Sequence, residues 1–145
     1  METSKGKLQE ELQRTMIDLE AYKRKFESVN QQMQMIEAAL IDLDGTITAI
    51  NTLKNEKTGN GFLVSLGSGF YSKAAMRDNK RIIMNIGAGV SIEKTIDDAS
   101  KTLETRRENL NKFAEELQKN ASEMSDKMSD LNAVYEDLAR SLQEG

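Results

Sequence analysis

The stretch Gly61-Phe-Leu-Val-Ser-Leu-Gly-Ser-Gly-Phe-Tyr-Ser-Lys-Ala-Ala-Met76, followed after four residues by Arg81-Ile-Ile-Met-Asn-Ile-Gly-Ala-Gly-Val-Ser-Ile-Glu93, decides the fold. Phe62, Val64 and Leu66 alternate with Leu63 and Ser65. Phe70, Ser72, Ala74 and Met76 then alternate with Tyr71, Lys73, Ala75 and Arg77, and Ile82, Met84 and Ile86 with Arg81, Ile83 and Asn85. A period of two means strands. Gly67-Ser68-Gly69, Asp78-Asn79-Lys80 and Gly87-Ala88-Gly89 are turn sequences, so four short strands joined by three turns are expected, ending in Val90 and Ile92. Some thirty residues bury too little apolar area to offset the entropy of ordering them. Their outer strands also present unpaired N–H and C=O groups. The segment therefore reads as an assembly module, built by Phe62, Leu63, Val64, Leu66, Phe70, Ile82, Met84, Ile86, Val90 and Ile92.

Two heptad segments flank it. Working back from the strands, Ile50, Ile47, Leu43, Leu40, Ile36, Met33, Val29, Phe26, Tyr22, Leu19, Thr15, Leu12 and Leu8 are spaced by alternating threes and fours. This is an a/d seam on a helix of about 65–75 Å. Thr58-Gly59-Asn60-Gly61 supplies the turn that ends it. Beyond the strands, Thr95 has the hydroxyl of a helix cap, with Asp97 and Asp98 in the first turn where the macrodipole favours negative charge. From there Ile92 or Ile96, then Ala99, Leu103, Arg106, Leu110, Phe113, Leu117, Asn120, Met124, Lys127, Leu131, Val134, Leu138 and Ser141 give a second seam, broken by Arg106, Asn120 and Lys127. Ala121, Met128 and Leu142 lie one residue beyond polar seam positions, so the stripe drifts there.

Two seams of similar length around a strand module fold back most economically as one antiparallel coiled coil. Ile50 is then near Ile96, and Leu8 near Leu138 with both termini at the far tip. There Leu8, Leu12, Met16, Ile17, Leu131, Val134, Leu138 and Leu142 form a candidate apolar binding surface. The expected division is a first helix over 5–57, strands over 61–93 and a second helix over 95–143, within a single subunit.

Composition narrows the function. The chain has 145 residues, 38% hydrophobic and 30% charged, with net charge −4. Interspersed charges leave no basic stripe for nucleic acid. No apolar run approaches a membrane span and residues 1–5 lack a signal-peptide core, so a cytoplasmic protein is expected. With no cysteine and no histidine, the usual transition-metal ligands and the commonest general base are missing, and no cofactor is expected. Leu40-Ile41-Asp42-Leu43-Asp44-Gly45-Thr46 resembles the Asp-x-Asp-Gly-Thr signature of haloacid-dehalogenase-type phosphatases. That chemistry needs the motif at the end of a parallel strand, whereas here Leu40, Leu43 and Ile47 continue the seam and Asp42 and Asp44 would point about 200° apart on a helix. An enzyme is not expected. Gly67-x-Gly69 and Gly87-x-Gly89 lack the third glycine and following helix of a dinucleotide loop, and read as strand turns.

The order long heptad helix, Leu63-Val-Ser-Leu-Gly-Ser-Gly-Phe70, Ile86-Gly-Ala-Gly-Val-Ser-Ile-Glu-Lys-Thr-Ile-Asp-Asp-Ala99 and second heptad helix resembles an alpha-class prefoldin subunit of archaeal type. Ser65 stands where that family usually has proline. The resemblance implies an α+β fold in which a long antiparallel two-helix coiled coil carries a central four-stranded β-hairpin module that assembles into an oligomeric β-barrel. It further implies an ATP-independent holding chaperone, a hexamer of two alpha and four beta-class subunits. Such a complex binds unfolded protein clients at the coiled-coil tips and passes them to a group II chaperonin. A passive coiled-coil scaffold is the alternative from another class.

Overall fold

A computed structural model describes residues 2–144. Helix α1 spans Glu2–Asn55, strands β1 to β4 span Gly61–Gly67, Phe70–Ala75, Arg81–Gly87 and Val90–Thr95, and helix α2 spans Ile96–Glu144. The chain divides into two compact units: Met1–Glu37 with Asn111–Gly145, and Ala38–Leu110, which holds the strands.

In the strand-bearing unit the four strands do not form one sheet. β1 pairs with β2 and β3 with β4, each pair antiparallel and separate. The segment between β2 and β3 is engaged elsewhere, so it does not act as a hairpin turn. Met76 exchanges backbone bonds with the end of the helix–strand connection: its N–H donates to the Asn60 carbonyl at 2.8 Å and its carbonyl accepts from Gly59 N–H at 2.7 Å. Asn79 Nδ2 donates to the Glu56 carbonyl at 3.0 Å, satisfying a group left open where α1 ends. Ile96 N–H donates to the Lys80 carbonyl at 2.8 Å.

The two hairpins repeat each other at an offset of twenty residues. Gly61 pairs with Ala75 and Arg81 with Thr95; Val64 pairs with Ser72 and Met84 with Ile92; both registers shift at the same place, between Ser65 and Gly67 and between Asn85 and Gly87. Ser68 and Ala88 lie at φ 53° and 52°, followed by Gly69 and Gly89 at 81° and 75°. Two successive positive φ values make a two-residue type I′ loop, whose twist matches that of the flanking strands. Ser65 keeps its ladder position opposite Tyr71.

Ile50, Ile96 and Ala99 form the buried core of this unit, with Ile82 and Leu103 packed against it. α2 starts where the sequence places it: Thr95 Oγ1 accepts the Asp98 N–H at 3.1 Å, a cap of about 1 kcal/mol. Lys94 Nζ donates to Thr102 Oγ1 at 3.4 Å, tying β4 to the second turn of the helix. Asp44 meets Arg107 at 3.5 Å, which with the Ile50–Ile96 contact makes the helices antiparallel here.

In the other unit the α1 seam is as expected. Leu8, Leu12, Leu19, Tyr22, Phe26 and Met33 are half-buried, and Thr15, Val29 and Ile36 are buried. Thr15 is tolerated because its hydroxyl donates to the Glu11 carbonyl at 2.8 Å. The α2 seam differs from the expectation. Leu117, Met124, Leu131 and Leu138 face inward, but the alternate members are Ala114, Ala121, Met128, Tyr135 and Leu142, each one residue beyond the expected Phe113, Asn120, Lys127, Val134 and Ser141. Phe113 and Val134 are exposed. One residue turns a helix by about 100°, enough to exchange seam for flank, so the polar breaks mark the true phase.

Candidate functional site

Two surfaces carry chemistry, and both are apolar. On the first hairpin, alternation and the absence of a covering layer leave Phe62, Leu63, Val64, Leu66, Phe70 and Tyr71 exposed. On the second, Ile83, Ile86, Val90 and Ile92 are exposed, whereas Ile82 and Met84 are half-buried. Ile82 packs on the helix core. Of the assembly candidates, then, eight are exposed and two are half-buried, one of which, Ile82, attaches its hairpin to the chain's own helices. Tyr71 and Ile83 are equally exposed and were not among the candidates; their places opposite Ser65 and Glu93 on the outer faces were the available signal.

The second surface lies in the unit formed by the chain-terminal halves of the helices. Met16 and Ile17 are 48% and 61% exposed and Val134 is also exposed, while Leu8, Leu12, Leu131, Leu138 and Leu142 are half-buried in the seam. The candidates divide into a half-buried seam and three free apolar side chains on its flanks. Around them the surface is mostly ionic, and Lys25 Nζ lies 5.5 Å from the centre of the Tyr22 ring.

Charge is otherwise arranged at the surface. Lys54 Nζ donates to Asp97 Oδ1 at 2.9 Å, and that bond, with the ammonium charge, lowers the Asp97 carboxyl below its ordinary range. Arg81 meets Glu93 across the second hairpin at 3.6 Å. The Asp-Leu-Asp-Gly-Thr motif lies within α1. Asp42 and Asp44 are both exposed, and Asp44 pairs with Arg107, so the two carboxylates diverge as helical geometry requires. Among the described residues no carboxylate cluster is placed to hold a metal ion, and no helix is long and apolar enough to cross a membrane.

Known proteins share this arrangement. The Prefoldin family, described as prefoldin subunit, matches residues 22–141. The prefoldin subunit alpha of Methanothrix thermoacetophila is 32% identical over 84 residues, 58% of this chain and 55% of that protein. The prefoldin subunit alpha of Methanococcus aeolicus is 32% identical over 91 residues, 63% of this chain and 61% of that protein. The chain thus matches a little over half the length of these curated relatives. Among solved structures, the filamentous PFD from Methanocaldococcus jannaschii, determined by cryo-EM, superposes with a TM-score of 0.69 at 23% identity, over 79% of this chain and 94% of that one. The prefoldin beta subunit from Thermococcus strain KS-1 superposes with a TM-score of 0.57 at 17% identity, over 87% and 90%. The chain shares the overall fold of these structures, and with the family match over most of its length it belongs to the prefoldin family as an alpha-type subunit.

Proposed function

We propose that the chain is a subunit of an ATP-independent holding chaperone of the cytoplasm, its two helices and two hairpins working as one subunit. The hairpins join it to other prefoldin subunits, with beta-class subunits in a complex of two alpha and four beta chains. Unfolded polypeptides bind at the chain-terminal ends of the helices and pass from there to a group II chaperonin. The observation that carries this reading is the exposure of Met16, Ile17 and Val134 beside a half-buried leucine seam. Burying exposed client side chains there stabilises the complex by about 25 cal/mol per Å² removed from water. Flexible methionine suits a surface that must accept many sequences.

The test is a chemically unfolded protein diluted into the assembled complex without ATP, followed by light scattering. The triple variant Met16→Ser, Ile17→Ser, Val134→Ser should lose most of its suppression of aggregation while keeping its assembly mass, since all three side chains are already solvent-exposed. Full suppression by the triple variant would refute the location. A wild-type complex that binds one folded protein and no unfolded client would favour a scaffold.

A further inference from the structure

Three elements leave one junction in the strand-bearing unit and enclose an open groove of about 370 Å³. Ile96 N–H bonds to the Lys80 carbonyl, so β3 and α2 start side by side, and Ile50 of α1 shares a core with Ile96. Distance from that junction along each element therefore orders the residues lining the groove. Nearest are Ile50, Ala99 and Ile82, in or against the buried core. Ile83 and Met84 on β3 and Leu103 on α2 come next, and Asn85, Thr46 and Arg106 lie furthest out. A strand rises about 3.3 Å and a helix about 1.5 Å per residue, so the run from Ile82 to Asn85 and the run from Ala99 to Arg106 each cover about 10 Å. The groove is thus a short trough, apolar at one end and polar at the other.

The polar end has donors to spare. The Thr46 hydroxyl donates to the Asp42 carbonyl at 3.0 Å and the Thr102 hydroxyl to the Asp98 carbonyl at 3.0 Å, while the Asn85 side-chain carbonyl accepts the Gly87 N–H at 2.8 Å. What is left to offer is the Asn85 amide and the Arg106 guanidinium. Among the described residues Arg106 enters no ion pair, whereas its neighbour Arg107 meets both Asp44 and Glu104, and no carboxylate lines the groove. Two donors carrying one positive charge between them call for an acceptor carrying one negative charge, and the planar fork of a guanidinium fits a carboxylate. The aliphatic remainder of the lining calls for an alkyl body. The volume lies at the small end of the roughly 300–1,000 Å³ of small-molecule sites, and the length of the trough favours a chain over a compact ring system.

We propose that this groove binds a medium-chain fatty carboxylate, its alkyl chain lying over Ile50, Ala99 and Leu103 against Ile82 and Met84, and its carboxylate held by Arg106 and Asn85. The site stands on its own geometry and does not depend on the chaperone reading.

Isothermal titration calorimetry of the full chain with octanoate, kept below its micelle concentration, should show one site per chain. Binding should tighten about two- to fourfold for each methylene added from hexanoate to octanoate, as apolar burial requires. Arg106→Gln, at an exposed side chain, should weaken octanoate about tenfold and leave the uncharged octanol unchanged, with circular dichroism checking that the variant is folded. The triple variant Met16→Ser, Ile17→Ser, Val134→Ser should bind octanoate like the wild type, which separates the groove from the apolar helix ends. No binding of octanoate, equal weakening of octanol and octanoate by Arg106→Gln, or loss of binding in the triple variant would overturn the proposal. The chain assembled with a beta-class prefoldin subunit should keep the site. Binding that disappears on assembly, or octanoate displaced by an unfolded polypeptide, would give the groove to a neighbouring subunit or to a client and overturn it as well.

Discussion

The phase of the second helix can be tested by a pair of truncations. Leu117 is 5% exposed and sits in the seam, while Phe113, one turn earlier, is 47% exposed. Leu117→Ala removes a buried side chain whose replacement by alanine in a protein interior costs about 2–5 kcal/mol. A seam between two helices lets neighbours close on the gap, which places the expectation at about 2–3 kcal/mol. Full burial of a phenylalanine stabilises by about 1.5–3 kcal/mol, so a half-covered Phe113 contributes about 1 kcal/mol. Alanine returns roughly 0.5 kcal/mol through its better helix propensity. Phe113→Ala should therefore cost about 0.5 kcal/mol, several-fold less than Leu117→Ala. The assay is urea unfolding followed by the helical signal at fixed protein concentration, because assembly makes apparent stability concentration-dependent. Equal costs for the two variants, at 2 kcal/mol or more, would put Phe113 in the seam and refute the assigned phase.

Three further outcomes can be checked with the same unfolding assay. A Cβ at Gly45 would meet nothing within 4 Å, so Gly45→Ala should stabilise by about 1 kcal/mol; a loss would mean that the position bends α1 or is approached by another chain. Ala88 occupies the left-handed region at φ 52° ahead of Gly89, so Ala88→Asn should stabilise the second hairpin by about 0.5–1 kcal/mol, since Asn-Gly is the favoured type I′ pair, and a destabilised variant would contradict that turn. The Lys54 bond lowers the Asp97 carboxyl, so its contribution is present above the unfolded-state value near pH 4 and is lost as pH falls through the lower folded value. Asp97→Asn should therefore narrow the stability difference from wild type as the medium is acidified below about pH 4, by an amount kept small by solvent around both groups; a difference independent of pH would show that the pair is not formed.

How much was legible in the sequence depends on how far each property reaches along the chain. The α1 seam was readable position by position from Leu8 to Ile50, because large apolar residues leave little choice about which face of a long helix turns inward. The strands, the glycine turns and the Thr95 cap were equally local, set by alternation, by positive φ and by one hydroxyl. The Asp-Leu-Asp-Gly-Thr motif could be set aside for the same reason, since helical periodicity runs through it. The α2 phase was only half legible. Phe113 and Val134 look like seam residues by polarity, and Ala114 and Ala121 are too small to announce burial, so only the opposing α1 side chains decide which set is covered.

By itself the sequence determined two long helices, four short strands, their turns and the absence of cysteine and histidine chemistry, all properties of residues a few positions apart. The tertiary structure alone decided that the strands divide into two separate hairpins, because the main-chain groups of Met76 and Lys80 and the side chain of Asn79 bond to chain distant in sequence instead of closing a third turn. It alone decided that Ile82 and Met84 are half-buried, Ile82 against the helix core, while Phe62 and Val64, which have the same pattern at the same register, stay exposed. Alternation fixes which side chains share a face, but whether that face is covered depends on what the rest of the chain brings to it.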